Sequence, residues 1–183
     1  MERSLLLGAL LALSGACAKP PTTVAGPVDL DRYAGEWLEL ARLPAFFQRD
    51  CVRARASYRA IEEGVRVVNQ CETATGEVRR IEGVATPVPG SANSRLLVRF
   101  ASFWARLAPT PSDGNYWILH LDPEYQSAVV GTSDRRYLWI LAREPLPEAR
   151  YLALVEIARR SGFDVSRLVR AQWDSLPPVS AWH

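Results

Sequence analysis

The stretch 29-DLDRYAGEWLELARLP-44 sets a short polar turn, a glycine and a tryptophan in front of a run with strand-like alternation. Gly35 lets the backbone pass closely from the turn into a strand, because it has no Cβ to obstruct the approach. Trp37 comes next with a ring that buries on the order of 200 Å² when enclosed. Such a ring at the start of the first strand is either part of a binding surface or a plug in a core, and the remainder of the chain decides between the two.

Strand signals recur at 36–43, 52–61, 65–72, 77–86, 95–102, 115–122, 126–133 and 136–143. Val52, Ala54, Ala56 and Tyr58 alternate with Arg53, Arg55, Ser57 and Arg59, the period of two expected of a sheet with one wet face. Turn chemistry separates the runs at Glu63-Gly64, Thr75-Gly76, Pro89-Gly90, Asp113-Gly114 and Ser133-Asp134, too closely spaced for crossover helices. The pattern predicts an all-β fold, an eight-stranded antiparallel up-and-down β-barrel. Closure removes its edges and leaves an interior for side chains or one small ligand. A single helix, opened by Pro147-Glu148, runs to Ser161 with Tyr151, Leu154, Val155 and Ala158 on one face, and Gly162 ends it. Residues 167–173 read as a short last strand.

Composition narrows the function classes. Of 183 residues, 48% are hydrophobic and 23% charged, which fits one globular domain, here bounded at 28–176 with a tail at 177–183. The net charge is +2 and no run of five like charges occurs, so no nucleic-acid partner is expected. Arg3, an apolar run from Leu5 to Leu13 and small residues up to Cys17 make residues 1–16 an expected export signal, since the run is too short for the roughly 20 residues of a membrane span. The segment 14-SGAC-17 resembles a bacterial lipobox. It departs from that pattern in carrying Ser14 where leucine is usual, and it implies acylation of Cys17. Residues 17–27, with three prolines, then read as a lipidated tether. By the sorting rule that goes with the lipobox, Ala18 implies the bacterial outer membrane and its periplasmic face.

Cys51 and Cys71 remain as an even pair in an exported chain, which favours a disulfide over a metal site. If Ile61 pairs with Val65 across a Glu62-Glu63-Gly64 turn, Cys71 lies opposite Arg55, four residues along from Cys51. A bulge or bend has to close that gap, because bridged Cα atoms approach within about 7 Å.

The order of eight strands, helix and strand carries three local signatures. These are Gly35-Glu36-Trp37, the segment 122-DPEYQSAVV-130, and Arg143 at the end of 138-LWILAREP-145. In this order and spacing they resemble the lipocalin family over residues 28 to 175, and specifically its bacterial outer-membrane lipoprotein branch. The resemblance implies a cup that binds fatty acid, lysophospholipid or another small apolar molecule at its open end, with Trp139 pointing inward. It also makes Trp37 the plug of the closed end, with Arg143 stacked over it and hydrogen-bonded to the N-terminal turn.

The residues themselves supply aromatic candidates for a lumen: Tyr58, Phe100, Phe103, Trp104, Tyr116, Trp117, Tyr137 and Trp139. Among these, Trp139, Tyr116, Tyr58, Phe103 and Trp104 are the ligand-binding candidates, for ligand pockets are mostly apolar with a few orienting polar groups. No catalytic site, metal site or cofactor is expected: the two histidines, His120 and His183, accompany no G-x-S-x-G elbow and no zinc or calcium spacing. Three function classes stay in play: a lipid-binding lipoprotein, a lipocalin-fold enzyme using a thiol or acid pair in its cup, and a structural envelope lipoprotein with a filled barrel. A homodimer is compatible with each.

Overall fold

The computed structural model describes residues 27–101 and 111–173 of the chain. A one-turn helix α1 (Leu30–Tyr33) leads into strands β1 (Gly35–Arg42), β2 (Cys51–Ile61), β3 (Gly64–Thr73), β4 (Val78–Pro87), β5 (Arg95–Phe100), β6 (Tyr116–Leu121), β7 (Ser127–Gly131) and β8 (Leu138–Ala142). Each strand pairs antiparallel with the next. β8 returns to β1 and β1 pairs with β2, closing the barrel. Helix α2 (Glu148–Arg160) packs outside, and β9 (Val169–Arg170) adds to the upper half of β1 through Ala41 and Arg42. The last strand is thus shorter than the predicted 167–173, although Ala171 and Gln172 still donate to the carbonyls of Leu40 and Val52.

The period-2 pattern produces two apolar layers. Trp37, Ala56, Tyr58, Val65, Val67, Ala85, Leu96, Ile118, Val130 and Leu141 form the inner one. The outer one sets Leu40, Leu119, Val129, Leu138 and Ile140 against Tyr151, Leu154 and Ala158 of α2. Bulges interrupt the alternation between Glu39 and Ala41 in β1 and between Ile118 and His120 in β6. Trp117, expected in the lumen, lies in the outer layer with Phe163, and its indole N–H donates to the Asp113 carbonyl at 3.0 Å. It neighbours Tyr116, which faces inward, so it has to face out.

β5 and β6 share only two register pairs, Arg95 with Trp117 and Leu96 with Tyr116. The side-chain amide of Asn115 extends the ladder, accepting from Val98 N–H at 2.8 Å and donating to the Val98 carbonyl at 2.9 Å.

Cys51 and Cys71 are bridged, with Cα atoms 5.5 Å apart. The observed register corrects the expected one. Ile61 pairs with Gly64, so Cys71 lies opposite Ala54 rather than Arg55, and a bulge between Cys51 and Arg53 sets Cys51 opposite Thr73, two residues from its partner. Gly64 makes the tighter turn, with φ +138 and a Cβ position 2.4 Å from the Ala85 carbonyl oxygen, space that no side chain can occupy. The bridge closes a loop with a sequence separation of 20. The Cys51→Ala/Cys71→Ala variant is therefore expected to lose about 3 kcal/mol of stability, through a less constrained unfolded chain. Urea unfolding checks this, and an unshifted midpoint would contradict it.

Candidate ligand site inside the barrel

The closed end is built around Arg143. Its guanidinium lies 3.9 Å over the centre of the fully buried Trp37 ring. It donates to the carbonyls of Glu36 at 2.8 Å, Arg32 at 3.0 Å, Tyr33 at 3.2 Å and Tyr125 at 3.2 Å. The Trp37 indole N–H donates to the Tyr33 carbonyl at 2.8 Å. Gly35 takes φ +95, and a Cβ there would stand 3.2 Å from the Arg143 guanidinium. The N-terminal segment is tied across this end: Val28 N–H donates to the Ala92 carbonyl and Asp29 N–H to the Tyr125 hydroxyl. Asp29 also caps α1 through its carboxylate, which accepts from Asp31 and Arg32 N–H.

Above this plug three phenols meet. The Tyr116 hydroxyl is 2.7 Å from that of Tyr33 and 3.0 Å from that of Tyr58. The Tyr33 ring packs 4.9 Å from Trp37 and 5.4 Å from Tyr58. Burial pushes all three phenols up, Tyr58 to about 12 and Tyr33 and Tyr116 well above the ordinary tyrosine value. They are neutral hydrogen-bonding groups at any physiological pH.

Toward the open end lies a charged cluster that the sequence pattern does not announce. Glu39 and Arg42 are 4% and 3% exposed. Arg42 donates to Glu39 at 2.8 Å and to the carbonyls of Gln48 at 2.9 Å and Cys51 at 2.8 Å. The Gln48 side chain donates to the other Glu39 oxygen at 2.8 Å and accepts from the Trp139 indole at 3.0 Å. Burial raises the Glu39 pKa, against the opposing effects of Arg42 and Gln48. Arg42 lies opposite Trp139 in the β1–β8 register, so both side chains share the inner face.

Val98, Phe100, Tyr116 and Trp139 pack against the inner apolar layer yet are only partly buried. Inward-facing side chains that keep accessible surface mark a lumen that is not packed solid. At its rim, Phe46 and Phe47 are 74% and 54% exposed. Ring contacts continue from Phe46 to Phe47 at 5.2 Å, to Tyr137 at 5.4 Å and to Trp139 at 6.1 Å. Tyr137 is therefore a rim residue.

Of the ligand-binding candidates, Tyr58 and Tyr116 meet deep in the barrel, while Trp139 lies in the same inner layer nearer the rim. Phe103, Trp104 and the lipidation candidate Cys17 lie outside the described residues, as do residues 1–26. Tyr33, Glu39, Arg42 and Gln48 belong to the site without being among the sequence candidates. Among the described residues no group of three or more His, Cys, Asp or Glu is arranged to hold a metal ion.

A closed eight-stranded cup with an aromatic-lined, partly open lumen and a plugged base is the architecture of a small-ligand binding barrel. Residues 28–173 match the lipocalin-like domain, and the chain belongs to the lipocalin family, whose members hold small hydrophobic ligands. It is 37% identical over 158 residues to temperature-induced lipocalin-1 of Arabidopsis thaliana, covering 84% of this chain and 83% of that protein. It is 32% identical to the outer membrane lipoprotein Blc of Vibrio cholerae, covering 93% of this chain and 98% of the relative. To apolipoprotein D of Bos taurus it is 33% identical, with 90% and 91% covered. The solved structure of insecticyanin from the tobacco hornworm Manduca sexta shares the fold, with a TM-score of 0.59 at 16% identity over 86% of this chain and 87% of that one.

Proposed function

We propose that the protein is a lipid-anchored lipocalin at the periplasmic face of a bacterial outer membrane. In this reading it binds, stores or transports a fatty acid or lysophospholipid in its barrel. The observation that carries the reading is the accessible surface kept by Val98, Phe100, Tyr116 and Trp139 although they face inward. A filled structural barrel would bury them. The ring series from exposed Phe46 to Trp139 supports an apolar path into the lumen. The lipobox-like 14-SGAC-17 and the similarity to outer membrane lipoproteins Blc support anchoring through Cys17 and the 17–27 tether.

An enzyme with a reactive thiol is disfavoured, because Cys51 and Cys71 are joined to each other. The energetics of binding are adequate. Each buried methylene contributes about 0.8 kcal/mol, so the ~14 methylenes of a palmitoyl chain give ~11 kcal/mol gross. Losing about 4 kcal/mol to association and ordering leaves affinity on the order of 10 μM.

The test uses delipidated protein beginning at residue 18, titrated with palmitate and with lysophospholipid. A saturable change in tryptophan emission and a 1:1 complex in native mass spectrometry are expected. Neither signal with either lipid would overturn the reading.

A further inference from the structure

The Tyr33, Tyr116 and Tyr58 hydroxyls carry three O–H hydrogens, one each, and make two hydrogen bonds, both through Tyr116. Whichever way the hydrogens turn, one donor is left without an acceptor among the described residues. A buried donor that finds no acceptor is destabilising, because its lost hydration is not replaced. Of the three, Tyr116 alone is more than marginally accessible, since Tyr33 and Tyr58 are 1% and 4% exposed. The side chains of Leu96, Val98, Phe100 and Ile118 in the same inner layer cannot accept, and the buried Asn69 Oδ1, opposite Ala56 on the inner face, has no partner of its own among the described residues. The charged groups that act on this end are Arg143, whose field reaches Tyr33 and Tyr58, and Glu39, which reaches Tyr58.

We propose that the lumen selects an acyl ligand bearing a neutral oxygen acceptor, such as a ketone, at its buried end, and that the uncommitted phenol hydrogen of the tyrosine cluster donates to it. This rests on the reading of the barrel as a lipid site. The acceptor is neutral because an ionised carboxylate loses far more solvation on burial than one phenol returns. Arg143 is already engaged by four backbone carbonyls on the far side of Trp37. The ligand therefore lies with its ionised group toward the mouth and its oxygenated terminus on the tyrosines. A plain saturated chain, inserted the same way, presents a methyl group to a donor it cannot satisfy.

The experiment compares saturated fatty acids of ten to eighteen carbons with the methyl-ketone acids of the same lengths, bound to protein beginning at residue 18. At the best-fitting length the keto acid is expected to bind about tenfold more tightly than its parent. In the Tyr33→Phe/Tyr58→Phe/Tyr116→Phe variant the two should agree within about twofold. Removing all three hydroxyls leaves neither donor nor acceptor behind, so the shape is kept at little cost to folding.

A second measurement needs no variant. The ketone stretch of the bound ligand in the infrared is expected at lower frequency than in hexane. Equal affinity of the two series for the parent protein, a preference that survives in the triple variant, or a hexane-like ketone stretch would each overturn the proposal while leaving lipid binding intact. Failure of every acid to bind would instead remove the reading beneath it.

Discussion

Replacing Trp37 by alanine is expected to destabilise the protein by about 3–5 kcal/mol, the range for removing a large aromatic from a core. The ring is fully buried at the closed end, so its loss opens a cavity that the strand framework cannot collapse to fill. Three further interactions go with it: the indole hydrogen bond to the Tyr33 carbonyl, the ring contact with Tyr33, and the Arg143 guanidinium stacked at 3.9 Å. The stacked cation adds about 0.5–2 kcal/mol of its own in such a setting. Arg143 would keep its four carbonyl acceptors but lose the surface that holds it over the barrel axis. For a chain of this length the melting temperature is expected to fall by roughly 10 °C. Thermal unfolding monitored by circular dichroism checks this, and a variant that melts like its parent would show that Trp37 does not plug the cup.

The plug and the strands are legible in the sequence for the same reason. Gly35, Trp37 and Arg143 act through backbone contacts and one large ring, and period-2 alternation fixes which strand residues share a face. Register is a different matter. The hairpin of β2 and β3 turns at Ile61–Gly64 rather than Ile61–Val65, a choice set by the positive φ of Gly64 and its contact with a carbonyl on β4, a strand distant in sequence.

Bulges hide more. Glu39 and Arg42 are three residues apart in a strand, which in regular alternation puts them on opposite faces, Glu39 on the inner face with Trp37 and Arg42 on the outer one. Only the irregularity between Glu39 and Ala41 turns Arg42 inward as well, where the two pair. Tyr33 carries no strand signal because it belongs to a turn, although its ring supports Trp37 and its hydroxyl joins the deep cluster.

That hidden pair gives the other large expected effect. Arg42→Ala should cost about 3–5 kcal/mol near neutral pH, the range for breaking a buried ion pair by removing one partner. The substitution leaves the Glu39 carboxylate with Gln48 as its remaining side-chain partner, and takes the guanidinium donor from the Gln48 and Cys51 carbonyls. The pH dependence is set by the direction of the Glu39 shift. Burial raises its pKa in the folded protein and Arg42 opposes that rise. A folded-state pKa above the unfolded value of about 4.3 means that this group's contribution is fully present below about pH 4.3 and lost as the pH rises through the folded pKa. Without Arg42 the folded pKa climbs further, so the variant's deficit should widen between about pH 5 and about pH 8. Replacing both residues, as in Glu39→Leu/Arg42→Met, should restore most of the loss, because neither buried charge then lacks a partner. Urea unfolding at the two pH values, for the single and double variants, decides the matter. A single variant within about 1 kcal/mol of the parent at the higher pH, or a double variant no better than the single, would show that the pair does not hold the corner where β1, the Gln48 loop and Trp139 meet.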